Sequence, residues 1–172
     1  IVYDIKESKQ VKKIDIGPTK NWSVSLVDQL LATGGHEGLV HLYNYHSGDN
    51  VSSAIKVSNP FVPSVQFNAS GDRLAVGGSK GEGKLFCRLL LAIYIILAGL
   101  FDPATGRLVE NLESHSKGIR CIEFAASDNN VLLTGSEDNS IGIFDVRTGH
   151  HIASVSDHNN WVMGLTSHRT PS

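Results

Sequence analysis

The chain has 172 residues, of which 41% are hydrophobic and 19% charged, with a formal net charge of −2. That composition excludes a disordered polymer and allows one domain with a real core. Fifteen basic against 17 acidic residues exclude the broad basic face of a dedicated nucleic-acid binder. The two cysteines, Cys87 and Cys121, are too few for a disulfide-stapled secreted domain and predict a reducing compartment, cytoplasm or nucleus. No signal peptide opens the chain, and a start at Ile1 rather than methionine predicts a fragment of a longer protein.

Many short apolar runs, punctuated by glycine-containing clusters, predict an all-β fold rich in turns. In chain order, residues 1–16 read as the end of one structural unit. Residues 21–57 form the next, with Trp22–Asp49 and Val51–Val57 as its strand-bearing parts. Residues 62–113 form a third, Val62–Phe86 with Phe101–Glu113, interrupted by a segment at about 87–101. Residues 114–156 are the best-preserved unit. Its predicted strands are Ile119–Ala125, Val131–Ser136, Ser140–Val146 and His151–Val155. Ala126–Asn130, Glu137-Asp138-Asn139 and Arg147–Gly149 supply its turns, because Asn, Asp, Ser and Gly tolerate turn dihedrals. Residues 157–172 are a partial unit, with Trp161–Thr166 as its first strand.

Two markers repeat. Aromatic–Asp or aromatic–Asn pairs stand at Tyr3-Asp4, Tyr43-Asn44, Phe101-Asp102 and Phe144-Asp145, in steps of 40, 58 and 43 residues. A glycine closes an apolar run at Gly34, Gly77 and Gly135, in steps of 43 and 58. Units of ~40–45 residues are what four-stranded propeller blades require. Both long steps exceed 43 by the same 15 residues, which predicts one insertion on a regular repeat.

The pattern resembles the WD-repeat family. The residues that carry the resemblance are Ser114-His115, Gly135-Ser136-Glu137-Asp138 and Ile143-Phe144-Asp145-Val146, with Phe144 in place of the family's Trp, and Asp157-His158 as a second entrance. Further segments are similar to the WD-repeat subunits of superkiller-type RNA-decay complexes: Lys13-Ile14-Asp15-Ile16-Gly17-Pro18, Asn21-Trp22-Ser23-Val24, Phe101–Val109 and Trp161-Val162-Met163-Gly164. The resemblance implies about three blades and two partial ones from a seven-bladed β-propeller. It also implies a non-catalytic scaffold, in the cytoplasm beside helicase and helical-repeat subunits and in the nucleus in a transcription-elongation complex. A different WD-repeat adaptor, such as a ubiquitin-ligase substrate receptor, is the alternative within the family. No cofactor, metal, membrane or direct nucleic-acid contact is expected.

By the same resemblance, His115, Thr134, Asp138 and Phe144 occupy a structural tetrad, in which hydrogen bonds tie the blade together. Their types also spell a Ser-His-Asp hydrolase triad, disfavoured because Thr134 lies within a predicted strand without an oxyanion-hole turn. Trp22, Phe61 and Trp161 stand at or just before inner strands, with Arg120 beside one. They are candidate partner-binding residues, or else packing under the entrance loops.

Gly78–Lys84 approaches the phosphate-binding pattern G-x-x-x-x-G-K-[ST], the basis of an alternative reading as a nucleotide-binding enzyme. Leu85 replaces the hydroxyl that would ligate Mg²⁺. His36, His41 and His46 are spaced by five, which on a strand points neighbours to opposite faces and argues against a shared metal. The apolar segment at about 87–101 is shorter than the ~20 residues of a membrane helix. It reads as an unspliced intron or gene-model error, or, if genuine, as an apolar interaction helix. Open strand edges at both ends predict poor solubility of the isolated chain.

Overall fold

The computed structural model describes residues 2–4, 6–14, 20–51, 53–57, 60–79 and 98–168. A short antiparallel pair, β1 (Val2–Asp4) and β2 (Lys9–Lys12), comes first. Three four-stranded antiparallel sheets follow, each a meander. The first is β3 (Asn21–Val27), β4 (Leu30–Gly35), β5 (Leu39–Asn44) and β6 (Ile55–Lys56). The second is β7 (Phe61–Phe67), β8 (Leu74–Ser79), β9 (Ala98–Phe101) and β10 (Leu108–Leu112). The third is β11 (Ile119–Phe124), β12 (Val131–Ser136), β13 (Ile141–Asp145) and β14 (His150–Val155).

The repeated aromatic–Asx pair has a local cause. Tyr43, Phe101 and Phe144 are buried. The Asx beside each caps the turn into the outer strand, as such side chains do by bonding backbone two residues on. Asn44 Oδ1 accepts from the His46 N–H at 2.9 Å, Asp102 Oδ1 from Ala104 at 2.9 Å, and Asp145 Oδ1 from Arg147 at 2.9 Å. The Arg147 side chain and backbone together hold the Asp145 carboxyl at a pKa of about 2.

The repeated glycine has a different cause, close approach between sheets. A Cβ on Gly34 would come within 2.6 Å of Val62, one on Gly77 within 2.9 Å of Ile119 and Ile122, and one on Gly135 within 2.6 Å of Val162. Glycine lets each second strand accept the inner-strand side chains of the following unit. Two apolar cores result. Ala32, Val40, Leu42, Val62, Val65 and Leu74 lie between the first and second sheets. Ala75, Leu100, Ile119, Ile122, Leu132 and Phe144 lie between the second and third.

The inner strands are also stitched to one another by side chains. Ser23 and Ser25 accept the Val65 and Phe67 N–H groups, each at 2.9 Å. One unit on, Ser64 and Gln66 accept those of Ile122 and Phe124 at 3.1 and 2.6 Å. Backbone donors at a strand edge need such acceptors, and polar residues at alternate positions supply them. Cys121 and Glu123 hold these positions in the third sheet.

Three expectations need correction. Trp161–Thr166 is not a strand. It lies along β11, with Val162 N–H on Ser136 O at 3.0 Å and the Ala126 N–H on Ser167 Oγ at 2.8 Å, but no second strand among the described residues flanks it to form a ladder. Cys121 replaces the serine of the other units, and burial raises its thiol pKa to about 11, opposed by the Gly135 N–H. A neutral thiol is a weak acceptor. Next, Ala98–Phe101 is not inserted sequence: it is β9, fully buried and paired with both β8 and β10. The remainder of the apolar segment, through Leu97, lies outside the described residues. Finally, the outer strand expected over Val51–Val57 is reduced to Ile55–Lys56, with an isolated bridge between Tyr43 and Asn50.

Candidate functional site

Two groups of candidate residues sit in opposite environments. The first is buried in the third sheet. His115 enters from the loop before β11, and its Nε2 lies 2.7 Å from Thr134 Oγ1 on β12. Its Nδ1 faces Asp138, in the β12–β13 turn, at 3.1 Å. The Asp138 carboxylate also accepts the Ser116 N–H at 2.8 Å, the Ser140 N–H at 3.0 Å and the Ser140 hydroxyl at 2.6 Å. Burial alone would raise its pKa, but the Ser140 and Ser116 hydrogen bonds and the nearby His115 outweigh that and lower it. An ionised carboxylate only accepts, so Nδ1 is the donor of that contact, and the Thr134 hydroxyl also reaches the Gly142 carbonyl at 3.4 Å.

Phe144 closes the floor of this network, cross-strand from Leu132 and edge-on to His151 at 5.4 Å. Gly142 makes room above it, since a Cβ there would lie 2.7 Å from Ser114 Oγ and 2.8 Å from Thr134 Oγ1. The His115–Thr134–Asp138 distances are those of a hydrolytic triad. Access is not, because Thr134 and Phe144 are both 0% exposed. A nucleophile must reach a carbonyl carbon, and this hydroxyl faces only its own sheet.

The second group reaches the surface: Trp22, His36 and Trp161 are exposed, and Phe61 and Arg120 half-buried beneath them. Trp22 and Phe61 meet edge-on at 5.4 Å, and His36 packs 4.9 Å from Phe61. Arg120 stacks 5.1 Å from the centre of the Trp161 ring. Its Nε lies 2.7 Å from Glu137 Oε1, an ion contact rather than an aligned hydrogen bond, because the N–H finds no acceptor in line. The ladders explain why these pairs recur. Trp22 and Arg120 occupy the same irregularity of their inner strands, between Asn21 and Ser23 and between Ile119 and Cys121. Phe61 and Trp161 directly precede Val62 and Val162, the valines that pack on Gly34 and Gly135. A side chain at one inner-strand irregularity thus touches the residue that opens the next unit. At the middle junction the corresponding residues are Pro63 and Gly118, with Ser79 Oγ 3.5 Å from Glu137 Oε1. The four sequence candidates therefore form two pairs along one end of successive inner strands. His36, Ser79 and Glu137 join them. The sequence points to these three only in other roles: His36 as one of three evenly spaced histidines, Ser79 within the phosphate-loop pattern and Glu137 beside the tetrad aspartate.

The remaining candidates do not assemble. Gly78 and Ser79 end β8, both buried, and the rest of the phosphate-loop pattern, from Lys80 on, lies outside the described residues. His36 packs with Trp22, His41 with Tyr43 and His46 with Tyr45, so the three histidines share no site. Among the described residues there is no cluster of metal-ligating side chains, and no helix is long and apolar enough to cross a membrane.

Residues 106–145 match the family model described as "WD domain, G-beta repeat". The chain thus holds one segment similar to a WD repeat. Its sheets are blades of a partial β-propeller, and the matched repeat runs from the turn before β10 to the end of β13, so each sequence repeat straddles two blades. The chain is 27% identical over 151 residues to the WD repeat-containing protein SL1-17 of Schistosoma mansoni, covering 87% of this chain and 44% of that protein. It is 25% identical to eukaryotic translation initiation factor 3 subunit I of Candida albicans, over 86% of this chain and 42% of that one. It is 26% identical to the U3 small nucleolar RNA-associated protein 15 homolog of Xenopus laevis, over 95% and 27%. The chain thus spans less than half the length of these relatives. The computationally designed Ika4 protein shares the fold with a TM-score of 0.75 at 16% identity, covering 94% of this chain and 88% of that one.

Proposed function

We propose that this WD-repeat chain is a non-catalytic platform for protein subunits, and that it binds them through the Trp22–His36–Phe61 and Arg120–Trp161 pairs. The observation that carries this reading is the division of burial. The acid–base–hydroxyl group is sealed inside a blade, while Trp22 and Trp161 stand 64% and 49% exposed. Exposed Trp, here with Arg120 half-buried against one of them, is a side chain that anchors protein interfaces. The His115 network is read as structural: a satisfied buried network specifies one packing.

The finer reading is a subunit of a superkiller-type RNA-decay complex in the cytoplasm and of a transcription-elongation complex in the nucleus, with helical-repeat and helicase subunits as partners. It is supported by the similarity of Asn21–Val24, Phe101–Val109 and Trp161–Gly164 to such subunits. Similarity to an initiation-factor subunit and to a COMPASS component supports assembly into complexes in general. Affinity purification of the full-length protein, with quantitative mass spectrometry, tests both levels. Trp22→Ala with Trp161→Ala should strip partner subunits while leaving the circular dichroism unchanged. Recovery of unaltered partners with that double variant would overturn the proposed surface. Partners without a helicase or a helical-repeat protein would overturn the finer assignment alone.

A further inference from the structure

Among the described residues the second blade alone has a complete blade on each side. Neighbouring blades pack on the faces of a sheet and leave its outer edge free. β10 pairs with β9, and among the described residues no strand lies beyond it. With both neighbours in place, Leu108 and Val109 are still 49% and 47% exposed. Glu110, Asn111 and Glu113 are exposed as well. The backbone marks the same edge. The Asp102 N–H bonds the Arg107 carbonyl at 3.0 Å, and the ladder then pairs Leu100 with Glu110 and Ala98 with Leu112. Hydrogen-bonded pairs of an antiparallel ladder recur at every second residue. Glu110 and Leu112 therefore turn their backbone groups toward β9, and Asn111 turns its own outward. Its N–H is capped by a side chain instead, Glu110 Oε1 at 3.3 Å. Gly149 of the next blade makes room for that carboxylate, since a Cβ there would collide with the Glu110 side chain. The edge of the first blade is treated differently. β6 is cut to Ile55–Lys56, short and charged, which is a common protection against strand addition.

We propose that β10 is a docking edge for an extended segment of a partner protein, apolar where it meets Leu108 and Val109 and basic where it meets Glu110 and Glu113. Unpaired N–H and C=O groups at strand spacing are complemented by another extended backbone. Charge selects which one. A second copy pairing antiparallel along this edge would set two Glu110 carboxylates against each other, and like charges in that position are destabilising. A segment carrying Lys or Arg meets the opposite situation. Its carbonyl takes the Asn111 N–H, and the Glu110 carboxylate so released pairs with the incoming cation as a charge-assisted hydrogen bond. Leu108 and Val109 cover the apolar side chains of the newcomer. The inference goes beyond the proposed partner-binding role and does not depend on it, since Trp22, Phe61, Arg120 and Trp161 all lie off β10.

The experiment uses the full-length protein and a short, blocked, fluorescent peptide of alternating lysine and valine. Fluorescence anisotropy should show saturable binding. The same peptide with glutamate in place of lysine should bind about tenfold more weakly or worse. Methylating alternate backbone nitrogens of the lysine peptide keeps its charge and side chains but blocks one ladder edge, and should weaken binding by a similar factor of about ten. On the protein, Val109→Asp and Glu110→Lys change exposed side chains and should leave the circular dichroism unaltered. Each should weaken binding of the lysine peptide by about tenfold, and Glu110→Lys should favour the glutamate peptide instead. Three results overturn the proposal: no saturable binding, equal binding of the methylated peptide, or unchanged binding in both protein variants. Trp22→Ala with Trp161→Ala, which tests the other surface, should bind the lysine peptide as the parent does. Loss of binding there would put the peptide on that surface and overturn the β10 edge.

Discussion

The first and third blades place a threonine at the same point and treat it in opposite ways. In both, the second-strand threonine lies one residue before the packing glycine, Thr33 before Gly34 and Thr134 before Gly135. It also lies ten residues before the buried aromatic, Tyr43 or Phe144. Thr134 is held by His115 at 2.7 Å. Thr33 is 5% exposed and its hydroxyl has no hydrogen-bond partner among the described residues. His115 reaches Thr134 from the loop four residues before Ile119; the same count back from Asn21 falls on Gly17 in the sequence, outside the described residues. The second blade avoids the question with Val76 at this position, paired to Gly99. A buried hydroxyl is therefore not in itself a stabilising feature; its worth depends on a donor or acceptor delivered from another loop.

Four predictions break or sharpen this contrast. The largest effect is expected for Phe144→Ala, which opens a cavity under the satisfied network and should cost about 3–5 kcal/mol in urea denaturation. His115→Leu should cost about 1–3 kcal/mol, because it removes the 2.7 Å partner of the buried Thr134 hydroxyl and one of the donors to Asp138. A double-mutant cycle of His115→Leu with Thr134→Val should then show a coupling above about 0.5 kcal/mol, and additive losses would break the network reading. At the other threonine, Thr33→Val should be neutral or stabilising by about 1 kcal/mol, since the valine removes an unpaired polar atom at nearly constant shape. A clear loss there would mean that Thr33 has a partner. Acid should separate the blades more gently. The Asp138 pKa is lowered in the fold, so its contribution is complete above the ordinary aspartate value of 3.8 and fades as pH falls through the lower folded value. Amide exchange in β11–β13 should therefore accelerate below about pH 4, with less change in β3–β5.

Much of the third blade was legible in the sequence. Val131–Ser136 was placed without error, and the predicted bounds of the other three strands differ by one residue at one or both ends, because Asx, Ser and Gly mark each turn unambiguously. The tetrad distances follow from the same regularity. Other parts depend on neighbours rather than on local pattern. Trp161–Thr166 has strand-like composition, but a strand needs a ladder, and composition does not reveal which partners are near. Ala98–Phe101 was hidden by the apolar run beside it, since Ala-Gly-Leu-Phe looks like a continuation of Leu89–Leu97. The serine and glutamine rungs between blades went unread. Their signal was present, though: Ser23-x-Ser25 and Ser64-x-Gln66 are polar pairs of period two on strands that otherwise read as core.

Those rungs also have a mechanical meaning. Ladder hydrogen bonds inside a blade join backbone to backbone and are indifferent to residue type. Between inner strands the rungs run through side chains, and their strength is set residue by residue. Where Cys121 replaces a serine, the rung changes hands: its thiol turns donor to the Val162 carbonyl at 3.5 Å, while Ser167 takes the Ala126 N–H at 2.8 Å and reaches Glu123 and the Phe124 carbonyl. Force along the chain is therefore carried across that seam by Ser167 and the Val162 backbone rather than by the side chain at position 121.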